Sequence, residues 1–279
     1  MKTTWYTIAG GKLHLQTIPF NPKGRKKDKN AEYWIDIDDA TSFELKEFLQ
    51  PIGMHPLLLS RCIDHAMDPG VLVYENSVLM EYPAAFDREL SEPAYLTIYL
   101  LPPYLITIRH KPMPVLDNMI INLLGVDAPE IHHLAQITYL ILDEFTDLNV
   151  SSQIEIRDQL LHLAKTLADN PGTFDLKKLA HLRWQVGDLI SLVENQLYCV
   201  SGLSALDIKE LQEPHRKAYI QDLLSEAEIT QRGAYRLENR VTDLYNDYQM
   251  AESGRVEKRL RLLTIVSAIT LPLGLLAGL

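Results

Sequence analysis

The sequence predicts an α+β chain. An N-terminal mixed α/β sheet domain comes first, followed by an all-helical region with a very long C-terminal stalk helix leading into a membrane helix. Three observations predict this. Residues 1 to 110 hold short alternating or β-branched runs punctuated by Gly, Pro and Asn. Beyond Met113 the strand signals vanish and apolar residues recur at helical spacing. Between Pro214 and Pro272 no proline interrupts the 57 intervening residues, and continuous helix there would measure about 86 Å.

The elements follow in order. "TWYTIA" and "KLHLQTI" flank Gly10-Gly11, a two-residue hairpin turn. Residues 21 to 30, "NPKGRKKDKN", read as an exposed basic loop, and "EYWIDID" returns to the strand pattern. Asp38-Asp39-Ala40-Thr41 marks a helix start before "SFELKEFLQ". "MHPLLLSRCIDHAM" is a second helix with Pro56 in its first turn. Two strand pairs follow, "GVLVYE" with "SVLMEYP" about Asn76, and "AYLTIYLL" with "YLITIRH" about Pro102-Pro103. "VLDNMIINLL", the stretch from "APEIHHLAQ" to "KTLAD", and "DLKKLAHLRWQVGDLISLVENQLYCVSGL" are helical, with Pro171-Gly172 as a break.

Leu237, Val241, Leu244, Tyr248 and Ala251 alternate in steps of four and three, a coiled-coil-like seam. Glu238, Arg240, Asp243, Asn246 and Asp247 occupy the opposite face, while Gly233 and Gly254 weaken helix by about 1 kcal/mol each. From Leu262 to Leu279 the chain carries no charge, the lower limit for a membrane-spanning helix, and Arg255, Lys258, Arg259 and Arg261 precede it as a cytoplasmic flank would. Leu260, Leu263, Ser267, Leu271, Gly274 and Gly278 form one stripe along this run. The stripe suits either the axis of a helix bundle or close helix packing and lipid contact. The predicted organisation is therefore residues 1–112 as the α/β domain, 113–212 as helices packed on it, 213–261 as the stalk, and 262–279 as the start of a membrane helix.

Composition narrows the function. The 279 residues carry 37 acids against 27 bases, a net charge of -10, which argues against nucleic acid and fits either a cation-collecting surface or plain solubility. Cys62 and Cys199 sit in no metal or redox pattern and read as small buried residues of a reducing compartment. The N-terminus lacks a signal-peptide core. No P-loop, GxSxG, HExxH or dinucleotide glycine pattern points to an enzyme or to an organic cofactor. His132-His133, within the helical reading, point about 100° apart and do not chelate jointly.

"LTIVSAITLPLGLLAGL", Leu263 to Leu279, resembles the first membrane helix of CorA-type divalent-cation transporters, which is followed in the family by a Gly-Met-Asn signature that this chain stops short of. "YWIDIDD", "IGMHPLLL", "LITIRH" and "AYIQDLLSEAE" resemble further family landmarks in collinear order, so the likeness covers nearly the whole chain. Two departures stand out: Ser60-Arg61 replaces the Glu-Asp usual after His-Pro-Leu, and Ser225 stands where a second stalk Asp is frequent.

The resemblance implies a homopentamer that conducts Mg²⁺, with Co²⁺ or Ni²⁺ also possible, and no organic cofactor. It implies residues 1–261 in the cytoplasm and the C-terminal segment in the inner or plasma membrane. Leu260, Leu263, Ser267, Leu271, Gly274 and Gly278 would line the pore. Asp222, with Asp87 from a neighbouring subunit, would hold a regulatory Mg²⁺ that closes it. The alternatives are a ZntB-like zinc transporter, a single-span membrane-anchored coiled-coil scaffold, and a soluble α+β protein that buries its last helix.

Overall fold

The computed structural model describes residues 1–16, 31–63, 68–75, 77–87, 92–109, 111–206 and 214–277, without the side chains of 85–87, 92–93, 214–216 and 275–277. The basic loop expected at 21–30 and Gly278 of the terminal stripe lie outside these residues. The chain divides into two units, Met1–Ser151 with Asp188–Gly233, and Ser152–Gly187 with Ala234–Leu279.

In the first unit, β1 (Lys2–Ala9) turns into β2 (Lys12–Gln16) through Gly10 and Gly11. Both glycines have positive φ, +58° and +73°, where a side chain would be strained. Strand β3 (Tyr33–Asp38) leads to α1 (Ser42–Leu49). Thr41 caps that helix, its hydroxyl accepting from the Glu44 amide while the Glu44 carboxylate accepts from the Thr41 amide at 2.9 Å. Helix α2 (Pro56–Ile63) follows, then β4 (Gly70–Tyr74), β5 (Ser77–Asp87), β6 (Glu92–Leu101) and β7 (Tyr104–Arg109).

The seven strands run in the order β2-β1-β3-β7-β6-β5-β4, antiparallel throughout except for the central β3–β7 pair. Strand alternation sends side chains to opposite faces. Ile35, Ile37, Leu79, Tyr99 and Ile106 bury against Leu45, Leu49, Leu58 and Cys62 of α1 and α2. Trp34, Met80, Tyr82, Leu96 and Leu105 bury against the helices on the other face. Those are α3 (Pro114–Leu123), α4 (Leu134–Asp169), α5 (Leu176–Ser204) and α6 (Pro214–Ala277).

Helix α4 starts later than its sequence pattern suggests, so His132 and His133 precede it. The cause is local pairing: the Ile131 amide donates to the Gly11 carbonyl at 2.9 Å, and the Leu134 amide donates to Glu32 Oε2 at 2.6 Å.

A buried polar network closes the central pair. Trp34 Nε1 donates to Thr107 Oγ1, which donates to Asp36 Oδ1, while Arg109 bonds Asp36 Oδ2 at 2.9 Å and Asp117 of α3 at 2.6 Å. Burial pushes the Asp36 carboxyl upward and Arg109 pulls it back, so the anion depends on its partner.

In the second unit the α4–α5 turn at Asn170–Phe174 is tied by Asn170 Oδ1 accepting from the Gly172 amide at 3.0 Å. Phe174 stacks on Tyr248 of α6 with ring centroids 4.9 Å apart. Leu237, Val241 and Leu244 are buried as the seam predicts, and the acidic face opposite is exposed. Helix α6 runs 64 residues without a break, through Gly233, Gly254 and Pro272.

Among the described residues no helix is long and apolar enough to cross a membrane. The stretch expected to span from 262 continues α6, bounded by charge at Lys258, Arg259 and Arg261 and described only to Ala277.

Replacing Arg109 with Met strands a buried carboxylate, and the expected loss is about 3–5 kcal/mol. Adding Asp36→Asn should restore part of it. Urea unfolding of the single and double variants checks this, and additive losses would contradict a coupled pair.

Candidate functional site

Tyr139, Asp143 and Asp147 recur at four-residue spacing on α4, and Asp222 and Glu226 do so on α6. Residues four apart share a helix face, so each helix presents a row, and the two rows meet within the first unit. Tyr139 Oη donates to Asp222 Oδ2 at 2.9 Å, and its ring lies 4.9 Å from that of Tyr219, one turn before Asp222.

Four carboxylates crowd this junction and no cation answers them among the described bonds. Burial, the hydrogen bond to Asp143 and the charges of Asp143, Asp222 and Asp147 raise Glu226 to about 7. Glu226 therefore keeps a proton near neutrality and donates it to Asp143, whose own carboxyl is raised chiefly by burial. Burial and nearby charge likewise raise Glu144. Burial, the bond to Asp222 and the surrounding anions push the Tyr139 phenol upward, so it acts only as a donor.

Asp222 is exposed beside this row. Asp87 closes β5 in backbone register with Glu92, and its side chain lies outside the described residues. No group of three or more His, Cys, Asp or Glu among the described residues is arranged to hold a metal ion. The Tyr139 hydroxyl and the Asp143 and Glu226 carboxyls beside Asp222 are oxygen groups, the ligand type of a hard cation. Of this cluster, sequence reasoning singled out Asp222 alone. The signal for its neighbours was the spacing of Tyr139, Asp143 and Asp147, four apart on one helix.

Of the terminal stripe, Leu260, Leu263 and Leu271 are 57%, 63% and 70% exposed, Gly274 is exposed and Ser267 is half-buried. The hydroxyls of Thr264, Ser267 and Thr270 each donate at 2.9 Å to the carbonyl four residues back, on Leu260, Leu263 and Val266. Their polarity is thus met inside the helix. Arg261 pairs with Glu257 at 3.0 Å just before the run.

The shared proton gives a pH dependence. Glu226 has a higher folded than unfolded pKa, so its folded state binds the proton more tightly. It favours folding fully at and below the ordinary carboxyl range, and that contribution is lost as pH climbs to about 7. Glu226→Gln should therefore raise the thermal midpoint at pH 8 by more than at pH 5. Equal shifts at both values would remove the shared proton.

Comparison with known proteins places this architecture. YfjQ of Bacillus subtilis, named as a candidate metal ion transporter, is 27% identical over 264 residues, 89% of this chain and 77% of that protein. Full-length CmaX superposes with a TM-score of 0.86 at 17% identity, covering 99% of this chain and 85% of that one. The CorA magnesium transporter of Methanocaldococcus jannaschii gives 0.77 at 19% identity, over 96% of this chain and 83% of that one. The ZntB cytoplasmic domain of Vibrio parahaemolyticus gives 0.71 at 9%, over 90% and 98%. At these identities the three structures establish the shared fold, a mixed sheet followed by helices and a long C-terminal helix. The family described as CorA-like Mg²⁺ transporter protein matches residues 29–279, and this chain belongs to that family.

Proposed function

We propose that this chain is the cytoplasmic gating part, with the beginning of the pore helix, of a homopentameric divalent-cation channel in the inner or plasma membrane. Mg²⁺ is both its transported and its regulatory ion. Family membership supports the transport reading and leaves the scaffold alternative without support. The observation that carries the regulatory reading is Asp222. It is an exposed carboxylate on the long helix, held by Tyr139 and ringed by further carboxyl oxygens.

In this reading the Asp222 carboxylate of one subunit and Asp87 of its neighbour share a hydrated Mg²⁺. Mg²⁺ keeps several waters and needs only one or two carboxylates, so such a site binds weakly and empties when the ion is scarce. An occupied site bridges neighbours and favours the closed arrangement. An empty one releases the repulsion between facing acids. Leu260, Leu263 and Leu271 then form apolar rings that close by dewetting, with Ser267, Gly274 and Gly278 widening the same stripe. The hydroxyl and carboxyl oxygens beside Asp222 favour Mg²⁺ over the zinc of a ZntB-like transporter, which prefers nitrogen and sulfur ligands.

The test is the oligomeric mass by light scattering in EDTA and then in about 10 mM Mg²⁺, enough to fill a weak carboxylate site. A pentamer that tightens with Mg²⁺, and loses the response in Asp222→Ala and in Asp87→Ala, is the expected result. A mass indifferent to Mg²⁺ would sink the regulatory reading. A tighter response to micromolar Zn²⁺ than to millimolar Mg²⁺ would move the assignment to zinc.

A further inference from the structure

We propose that Gln196, held by Asn149, is a positioning residue for the cation site: it fixes the bend in β5 beyond which Asp87 is carried. This rests on reading Asp87 and Asp222 as the regulatory carboxylates.

Two primary amides lie in the interior of the first unit, Asn149 on α4 and Gln196 on α5, only 2% and 3% exposed. Asn149 Nδ2 donates to Gln196 Oε1 at 2.5 Å, and Gln196 Nε2 donates to the Pro83 carbonyl at 2.8 Å. One turn along α5, Cys199 Sγ donates to the Glu81 carbonyl at 3.3 Å. One face of α5 thus bonds two alternate carbonyls of β5.

The place where it does so is particular. Pairing of β4 with β5 ends at Gly70 opposite Glu81, and β5 runs on to Asp87 against β6. Between Pro83 and Ala85 the β5–β6 register shifts, with Ala84 fully buried at the irregularity. Such a bulge bends a strand and weakens its ladder, so its direction depends on what holds it. Gln196 bonds the strand at that bend, just past the last residue that β4 supports.

Buried amides cost desolvation, and apolar side chains would fill the same space without it. Gln196 offsets that cost by meeting the Pro83 carbonyl, and the same bond aims the strand. From Pro83 to Asp87 the strand extends roughly 13 Å, so a swing of about 10° at the bulge moves its end by roughly 2 Å. A ligand constellation tolerates about 0.5 Å. Asn149 completes the device by fixing which way the Gln196 amide faces, since its donor leaves only the amide oxygen to receive it.

The experiment measures the Mg²⁺ midpoint for protection of the full chain from trypsin, with amide hydrogen exchange in β5 and urea unfolding on the same samples. Gln196→Met keeps length and apolar fit but removes the donor. Asn149→Leu keeps the donor and removes its holder, and carries the test if Gln196→Met does not fold. The expected result is an Mg²⁺ midpoint raised about tenfold, the size of a lost supporting bond at a metal site. Exchange should speed at residues 84–87, and neither variant should shift the midpoint further in an Asp87→Ala background. A folded variant with an unchanged midpoint overturns the proposal, as does a shift that persists without Asp87. If Asp87→Ala itself leaves the wild-type midpoint unmoved, the regulatory reading has failed, and the positioning role falls with it.

Discussion

The first unit is organised around one parallel strand pair. Strands β3 and β7 lie far apart in sequence yet adjoin at the centre, with β1 and β2 added on one side and β6, β5 and β4 on the other. What joins them beyond the ladder is the ion pair of Asp36 with Arg109, extended through Thr107 to Trp34 and through Asp117 to α3. A buried pair of charges stabilises little by itself, because desolvation offsets most of the attraction. It is, however, intolerant of a missing partner. A one-residue slip of β3 against β7 would turn Asp36 to the face away from Arg109 and leave the carboxylate alone, so the pair disfavours that slip.

Electrostatics of the opposite kind operate where α4 meets α6. There like charges face each other, and burial with those charges raises the carboxyls of Glu226 and Asp143. This is a balance that cations and protons both disturb. Asp222 and Leu263 both belong to α6.

Much of this was legible in the sequence where the signal is local. The glycine pair at 10 and 11, the Thr41 box, the break at Pro171-Gly172 and the seam at Leu237, Val241 and Leu244 each state their structure within a few residues. What was not legible depends on distant partners. Nothing near Tyr33 or Tyr104 announces that their strands lie parallel. Asn149 and Gln196 read as ordinary polar helix positions until α4, α5 and β5 are brought together. The start of α4 was misplaced because Gly11 and Glu32 compete for the backbone there. At the site, Asp222 could be found by likeness to a family, but its neighbours required two helices to be laid side by side.

The three hydroxyls near the C-terminal end have a further consequence. A hydroxyl carries one proton and two lone pairs, and in Thr264, Ser267 and Thr270 the proton is turned into the helix. Toward anything outside, these hydroxyls offer lone pairs rather than a proton. They follow one another at three-residue intervals, a rise of about 4.5 Å each. To a neighbouring helix the segment presents no donor, and to a cation or to the waters around it, a short spiral of oxygens with their negative ends outward.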